Sequence, residues 1–241
     1  QSQRALNHVD ANWDFLSFKT IDSTNNFAKT NFGQFTSPAL ILADHQTAGR
    51  GRGQNKWEDE GQGHQLLSTW CVEVNAKPDP RWTLAIGYFA YACLQSTWTE
   101  IPFSIKPPND LFLKDKKVGG LLIETTEVGQ KTVLFIGLGL NVFARPSAQY
   151  KTATSLMEHL QGAHPGANLD ERSWQKWIQT FARQLNEFEM YIKNPKWLSE
   201  LSPYLVEALN KNPQMASNKA KAVLENGSIQ LDQGYLNWLE L

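Results

Sequence analysis

With 241 residues and 41% hydrophobic content, the chain has enough apolar material for one substantial globular domain plus a small appendage. Lys+Arg 23 against Asp+Glu 24 gives a formal charge of -1, so there is no global field drawing it to nucleic acid or an anionic membrane. Any anion site has to be local. The polar first ten residues lack the apolar core of a signal peptide, and no run approaches the roughly 18 apolar residues of a membrane span. Cys71 and Cys93 have no metal or redox spacing and sit in apolar stretches. The expectation is a soluble cytoplasmic protein with buried free thiols.

In chain order, Trp13 to Ile21 alternates bulky apolar and polar residues as a strand does, and ends at Asp22-Ser23-Thr24-Asn25-Asn26, a cluster rich in helix N-caps. Phe27, Ala28 and Phe32 continue at helical spacing, with Gly33 as the stop. Ala39 to Ala43 is an apolar strand, followed by Gln46-Thr47-Ala48-Gly49-Arg50-Gly51-Arg52-Gly53. Glycines let backbone approach a ligand, and arginines present planar donor forks to carboxylate or phosphate. In isolation the better reading of this stretch is a flexible surface loop, with an anion-binding loop second.

Leu66 to Val74 returns to strand, and Pro78-Asp79-Pro80 opens a helix from Arg81 to about Trp98. Phe103 to Lys106, Leu111 to Leu113, Val118 to Glu124 and Thr132 to Leu140 predict a meander of strands, with Lys114 to Lys117 as a charged turn. Gly137 and Gly139 inside a strand mark close approach by a ligand or by a neighbouring element. Glu171 to about Tyr191 and Pro195 to about Leu209 are predicted helices, and Ala220 to Leu241 two or three short strands around Asn226-Gly227.

Six stretches in this order resemble the biotin protein ligases. Asp22-Ser23-Thr24-Asn25 looks like the family's DSTN start, and Gly49-Arg50-Gly51-Arg52 like its GRGR loop. Lys106-Pro107-Pro108-Asn109-Asp110 is similar to KWPND, Lys117 to Glu124 to the K(L/V)(A/G)GILxE segment, Gly137 to Val142 to GxGxNV, and Ala153 to Leu156 to ATSL. The resemblance implies an α+β fold, a largely antiparallel central sheet flanked by helices. It divides the chain into a catalytic domain at 1–208 and a shortened, SH3-like β segment at 209–241. It also implies two half-reactions: ATP and biotin give biotinyl-5′-AMP, which then biotinylates a lysine of a biotin carboxyl carrier protein.

By the same resemblance Lys117, Arg50 and Arg52 are the catalytic cations. Ser23, Thr24, Asn25, Gln46, Arg50, Gly51, Arg52, Lys117, Gly119, Gly120, Gly137 and Gly139 would bind biotin. Arg52, Lys106, Asn109 and Asn141 would bind the nucleotide, with Mg²⁺ screening the triphosphate and no dedicated protein metal site. The family's Trp after the motif lysine is Pro107 here, which removes an aromatic wall. The dozen residues ahead of the first strand suggest a ligase without a DNA-binding domain. A homodimer is compatible with the resemblance. Rival readings are a lipoate or octanoyl ligase of the same superfold and a non-catalytic biotin- or nucleotide-binding protein. A nucleic-acid role rests on Arg50 and Arg52 alone and conflicts with the neutral charge.

Overall fold

The computed structural model describes residues 12–59, 63–143, 151–163 and 169–238. Strand β1 (Asp14–Phe18), helix α1 (Thr24–Asn31) and strands β2 (Ala39–Ala43) and β3 (Gln65–Val74) come first, then helix α2 (Trp82–Thr97). Strands β4 (Phe103–Lys106), β5 (Asp110–Leu113), β6 (Lys116–Val128) and β7 (Lys131–Asn141) follow as a meander. Helices α3 (Leu156–Ala163), α4 (Glu171–Asn186), α5 (Phe188–Lys193) and α6 (Trp197–Asn210) lead to β8 (Ala220–Val223), β9 (Ile229–Leu231) and β10 (Tyr235–Leu236).

The first seven strands form one sheet in the order β1-β2-β3-β7-β6-β5-β4, and the last three form a small separate sheet. Among the described residues, β1 and β2 pair in parallel and the other strand pairings of the large sheet are antiparallel. This is the expected α+β architecture.

Strand β7 shows why the site lies where it does. Successive side chains point to opposite faces. Leu134, Ile136, Leu138 and Leu140 join the main core, which includes residues of α2, α4 and α6. Val133 and Phe135 join a smaller core closed by Ala28 of α1. Further along that second face the alternation continues with Gly137 and Gly139, so the apolar cover stops and Asn25 and Trp57 lie directly on the sheet beside the cavity. The main core is aromatic: Trp70 meets Trp13, Trp177 and Phe181 edge-on at 5.5, 6.0 and 5.0 Å between ring centres.

Three boundaries differ from expectation. Lys116 and Lys117 belong to β6, because the β5–β6 hairpin closes in two residues, Lys114 and Asp115, with Leu113 opposite Lys116. Lys114 takes a φ of 53°, which makes so tight a turn feasible. The single helix predicted over 171–191 is two, broken at Glu187. Leu185 and Phe188 are both buried, so the apolar rhythm runs through the break and hides it. Strand β1 ends at Phe18, and Ile21 makes only an isolated bridge to Gln46.

Candidate active site

A cavity of about 720 Å³ opens over the glycine end of β7, between the α1 N-terminus and the Gly/Arg stretch. Its lining includes Ser23, Thr24, Asn25, Gln46, Arg50 to Glu58, Pro108, Asn109, Asp110, Lys117, Gly120, Leu122, Gly137, Gly139 and Asn141. The two strand glycines are not empty spaces. A Cβ on Gly137 would lie 2.6 Å from Asn25 Oδ1, and one on Gly139 2.5 Å from Trp57 Cε2. Asn25 and the Trp57 indole occupy the room the glycines leave.

The start of α1 is held by buried polar contacts. Ser23 is the N-cap, and Thr24 donates through both N and Oγ1 to Gln46 Oε1, at 2.7 and 3.0 Å. Thr69 Oγ1 from β3 lies 2.8 Å from Thr24 Oγ1 and 2.5 Å from Asn25 Oδ1. Buried polar atoms need such partners, which explains why this cluster exceeds what helix capping alone requires.

The Gly/Arg stretch is a short hairpin. Gly51 N donates to Asn55 O at 2.8 Å, Trp57 N to Gly49 O at 3.0 Å, and Gly53 takes a φ of 63° at the tip. A Cβ on Gly49 would sit 2.6 Å from Trp57 O, so the two arms need glycine there to close. At its base, Asp59 Oδ2 accepts from Gln46 N at 2.7 Å and lies 2.8 Å from His45 Nδ1.

Besides Lys56, three cations line the cavity, and each has a resting partner. Arg50 pairs with Glu124, which also accepts from Lys29 Nζ at 2.7 Å. Burial raises the Glu124 carboxyl, but hydrogen bonds from Lys29, Arg50 and Asn25 outweigh it and hold the pKa below its ordinary value. Lys117 Nζ lies 2.6 Å from Asp110 Oδ1 and 5.9 Å from the Trp57 ring centre. Arg52 donates through both terminal nitrogens to Trp238 O at 3.3 Å, tying the hairpin to the C-terminal segment.

Of the residues singled out from sequence, Lys106 and Gly119 do not line this cavity. Lys106 is exposed, its Nζ 5.7 Å from the Phe112 ring centre, and Gly119 faces Gly139 O and Leu140. Asn141 lines the cavity with both ends of its amide engaged, accepting from Gln65 Nε2 at 2.7 Å and donating to Thr154 O at 3.0 Å. Asn109 Nδ2 donates to Leu121 O. Glu124, Thr69 and Trp57 were not assigned roles by the motifs. The signal for Glu124 was available: Gly120, Leu122 and Glu124 share one face of a strand by alternation.

The sequence profile of the Biotin/lipoate A/B protein ligase family matches residues 17–141. Among curated relatives, the bifunctional ligase/repressor BirA of Escherichia coli is 33% identical over 127 residues, covering 52% of this chain and 39% of that protein. The biotin--[acetyl-CoA-carboxylase] ligase of Mycobacterium tuberculosis is 29% identical over 206 residues, covering 83% and 66%. This chain therefore spans well under half of the length of the Escherichia coli relative. Among solved structures, the biotin protein ligase from Aquifex aeolicus in complex with biotin and ATP aligns with a TM-score of 0.69 at 23% identity, covering 92% and 94% of the two chains. That likeness shows the fold. The matched stretch runs from the end of β1 through Asn141 and takes in most of the cavity wall, and on it the chain belongs to the biotin/lipoate A/B protein ligase family.

Proposed function

We propose that this chain is an ATP-dependent biotin protein ligase of the cytoplasm. The observation that carries the reading is the convergence of Arg50, Arg52 and Lys117 on one cavity that Ser23, Thr24 and Gln46 also line. Hydroxyl and amide groups suit the neutral ureido ring of biotin, whose polar atoms need partners when buried. Cations suit the other task, bringing a carboxylate to a phosphate. Two unit charges 4 Å apart repel by about 4 kcal/mol at an effective dielectric near 20, so the barrier falls when positive charge is already in place.

In this reading a biotin carboxylate oxygen attacks the α-phosphorus of ATP, the bond to the pyrophosphate oxygen breaks, and biotinyl-5′-AMP forms. Lys117 and Arg50 neutralise the meeting of the two anions, and Arg52 serves the nucleotide beside Asn109. A carrier lysine amine then attacks the acyl carbon, AMP leaves, and the amine loses its proton. No enzyme nucleophile is required; positioning and charge do the chemistry. Gly137 and Gly139 let Asn25 and the Trp57 indole lie down on the sheet, and the bicyclic ring would pack against these two side chains.

Mg²⁺ fits this site as a companion of the triphosphate. Among the described residues no cluster of three His, Cys, Asp or Glu could hold a metal alone, and Asp110 supplies one carboxylate beside the cavity cations. We also propose that the C-terminal part of 209–241 is a small β unit appended to the ligase unit of 1–208, supported by its separate three-stranded sheet; the boundary falls after α6 at Asn210 rather than at 208, and Ala220, Val223, Ile229 and Trp238 pack into the main core. The accepting partner is a biotin carboxyl carrier domain. Incubation with ATP, Mg²⁺ and biotin should release pyrophosphate, and lipoate in its place should not. Release with lipoate alone would make it a lipoate ligase, and binding of biotin without release would make it a non-catalytic binder.

A further inference from the structure

Glu124 lies on the same face of β6 as Gly120 and Leu122, which line the cavity. Its carboxylate gathers donors from three places. Oε1 accepts from Lys29 Nζ on α1 at 2.7 Å, while Oε2 accepts from Asn25 Nδ2 at 3.1 Å and from the Arg50 guanidinium. Asn25 is itself pinned, donating to Leu122 O at 3.2 Å and filling the space over Gly137. The carboxylate is therefore fixed by the first two turns of α1 and offers Arg50 a rigid seat.

An ordinary surface ion pair would leave both partners wet. Here the Glu124 side chain is 19% exposed, and although the Arg50 side chain as a whole is 36% exposed, its Nε is buried with no hydrogen-bond partner among the described residues. One carboxylate between Arg50 and Lys29 also leaves a net positive charge beside the cavity. We propose that Glu124 is a positioning residue: it docks Arg50 against α1 and so sets the hairpin Gly49–Trp57 in the register at which an oxyanion can complete the guanidinium's donors. The proposal rests on the proposed function only for the identity of that oxyanion, the biotin carboxylate.

The test is a double-mutant cycle in the full chain with Glu124→Gln, Arg50→Ala and the pair. Glutamine keeps the size and an acceptor for Lys29, and removes the charge that holds Arg50. Two quantities are read: hydrogen exchange of the hairpin amides without ligand, and biotin Kd by calorimetry. Each single substitution should speed hairpin exchange by about fivefold, in line with a partly exposed ion pair. The double variant should be no faster than either. Biotin Kd should rise in Glu124→Gln and rise further in Arg50→Ala, which also loses the direct contact, and the double variant should bind no more weakly than Arg50→Ala. Unchanged exchange in Glu124→Gln, or effects that multiply in the double variant, would overturn the proposal. If exchange couples as stated and the parent chain binds no biotin, the positioning role stands and the ligase reading falls.

Discussion

Lys117 Nζ rests 2.6 Å from Asp110 Oδ1 within the β5–β6 hairpin. The lysine side chain is 38% exposed, so the pair itself contributes at most about 1 kcal/mol to stability. Its position matters when a carboxylate and a phosphate enter. Lys117→Ala should leave the melting temperature nearly unchanged and slow pyrophosphate release by about a hundredfold or more, as loss of one preorganised charge-stabilising donor does. Biotin affinity should fall far less. Pyrophosphate release at the parent rate refutes the assignment.

Arg52 spends both terminal nitrogens on the Trp238 carbonyl at 3.3 Å, a length at which hydrogen bonds are weak. A nucleotide phosphate can outcompete that neutral acceptor. Arg52→Ala should weaken ATP binding by about tenfold, consistent with one charge-assisted hydrogen bond. Calorimetric titration checks this, and equal ATP affinity in variant and parent removes Arg52 from the nucleotide site.

Trp57 and Gly139 are fitted to each other, since a Cβ on Gly139 would reach within 2.5 Å of the indole. Gly139→Ala should destabilise the chain by about 1–3 kcal/mol, the usual penalty of overpacking. In a Trp57→Ala background the penalty should vanish. Denaturant unfolding of the four proteins measures it; an equal penalty in both backgrounds means the indole is not what the alanine meets.

The Glu124 carboxyl holds its proton less tightly when folded than the ordinary 4.5. Unfolding therefore takes up a proton in that range, and stability from this group is full above about 4.5 and lost as pH falls through the lower folded value. The stability difference between parent and Glu124→Gln should be flat near neutrality and shrink in acid. Thermal melts across pH 3 to 7, roughly the span that brackets ordinary carboxyl titration, read it directly. A difference that grows in acid contradicts the assigned direction.

Trp70 tests the core. It is 1% exposed and touches Trp13, Trp177 and Phe181, so Trp70→Ala should cost about 3–5 kcal/mol, seen as a lower denaturant midpoint. A loss under about 1 kcal/mol would mean that the aromatic cluster repacks around the gap.

Much of the fold was legible because periodicity reports burial. β2 and β7 are largely apolar on both faces, β3 less so because Ser68 and Thr69 are buried in it, and the departures at Gly137 and Gly139 fall where the cavity lies. Local rhythm does not report pairing register, so Lys117 looked like part of a turn although a two-residue hairpin places it in β6 beside Asp110. It is equally blind to distance along the chain. Arg50 finds Glu124 across 74 positions and Arg52 finds Trp238 across 186; alternation along β6 puts Glu124 on the cavity face but does not name Arg50 as its partner, and nothing around Trp238 points to Arg52. Lys106 was singled out for its place in a motif, yet the strand ends with its side chain exposed.

If one cavity joins a carboxylate to a phosphate, the mixed anhydride should be caught in it. Native mass measurement after incubation with biotin, ATP and Mg²⁺ should show a retained adduct with the mass of biotinyl-5′-AMP that disappears when a carrier domain is added. A protein that binds biotin and ATP and never carries that mass would contradict the ligase reading.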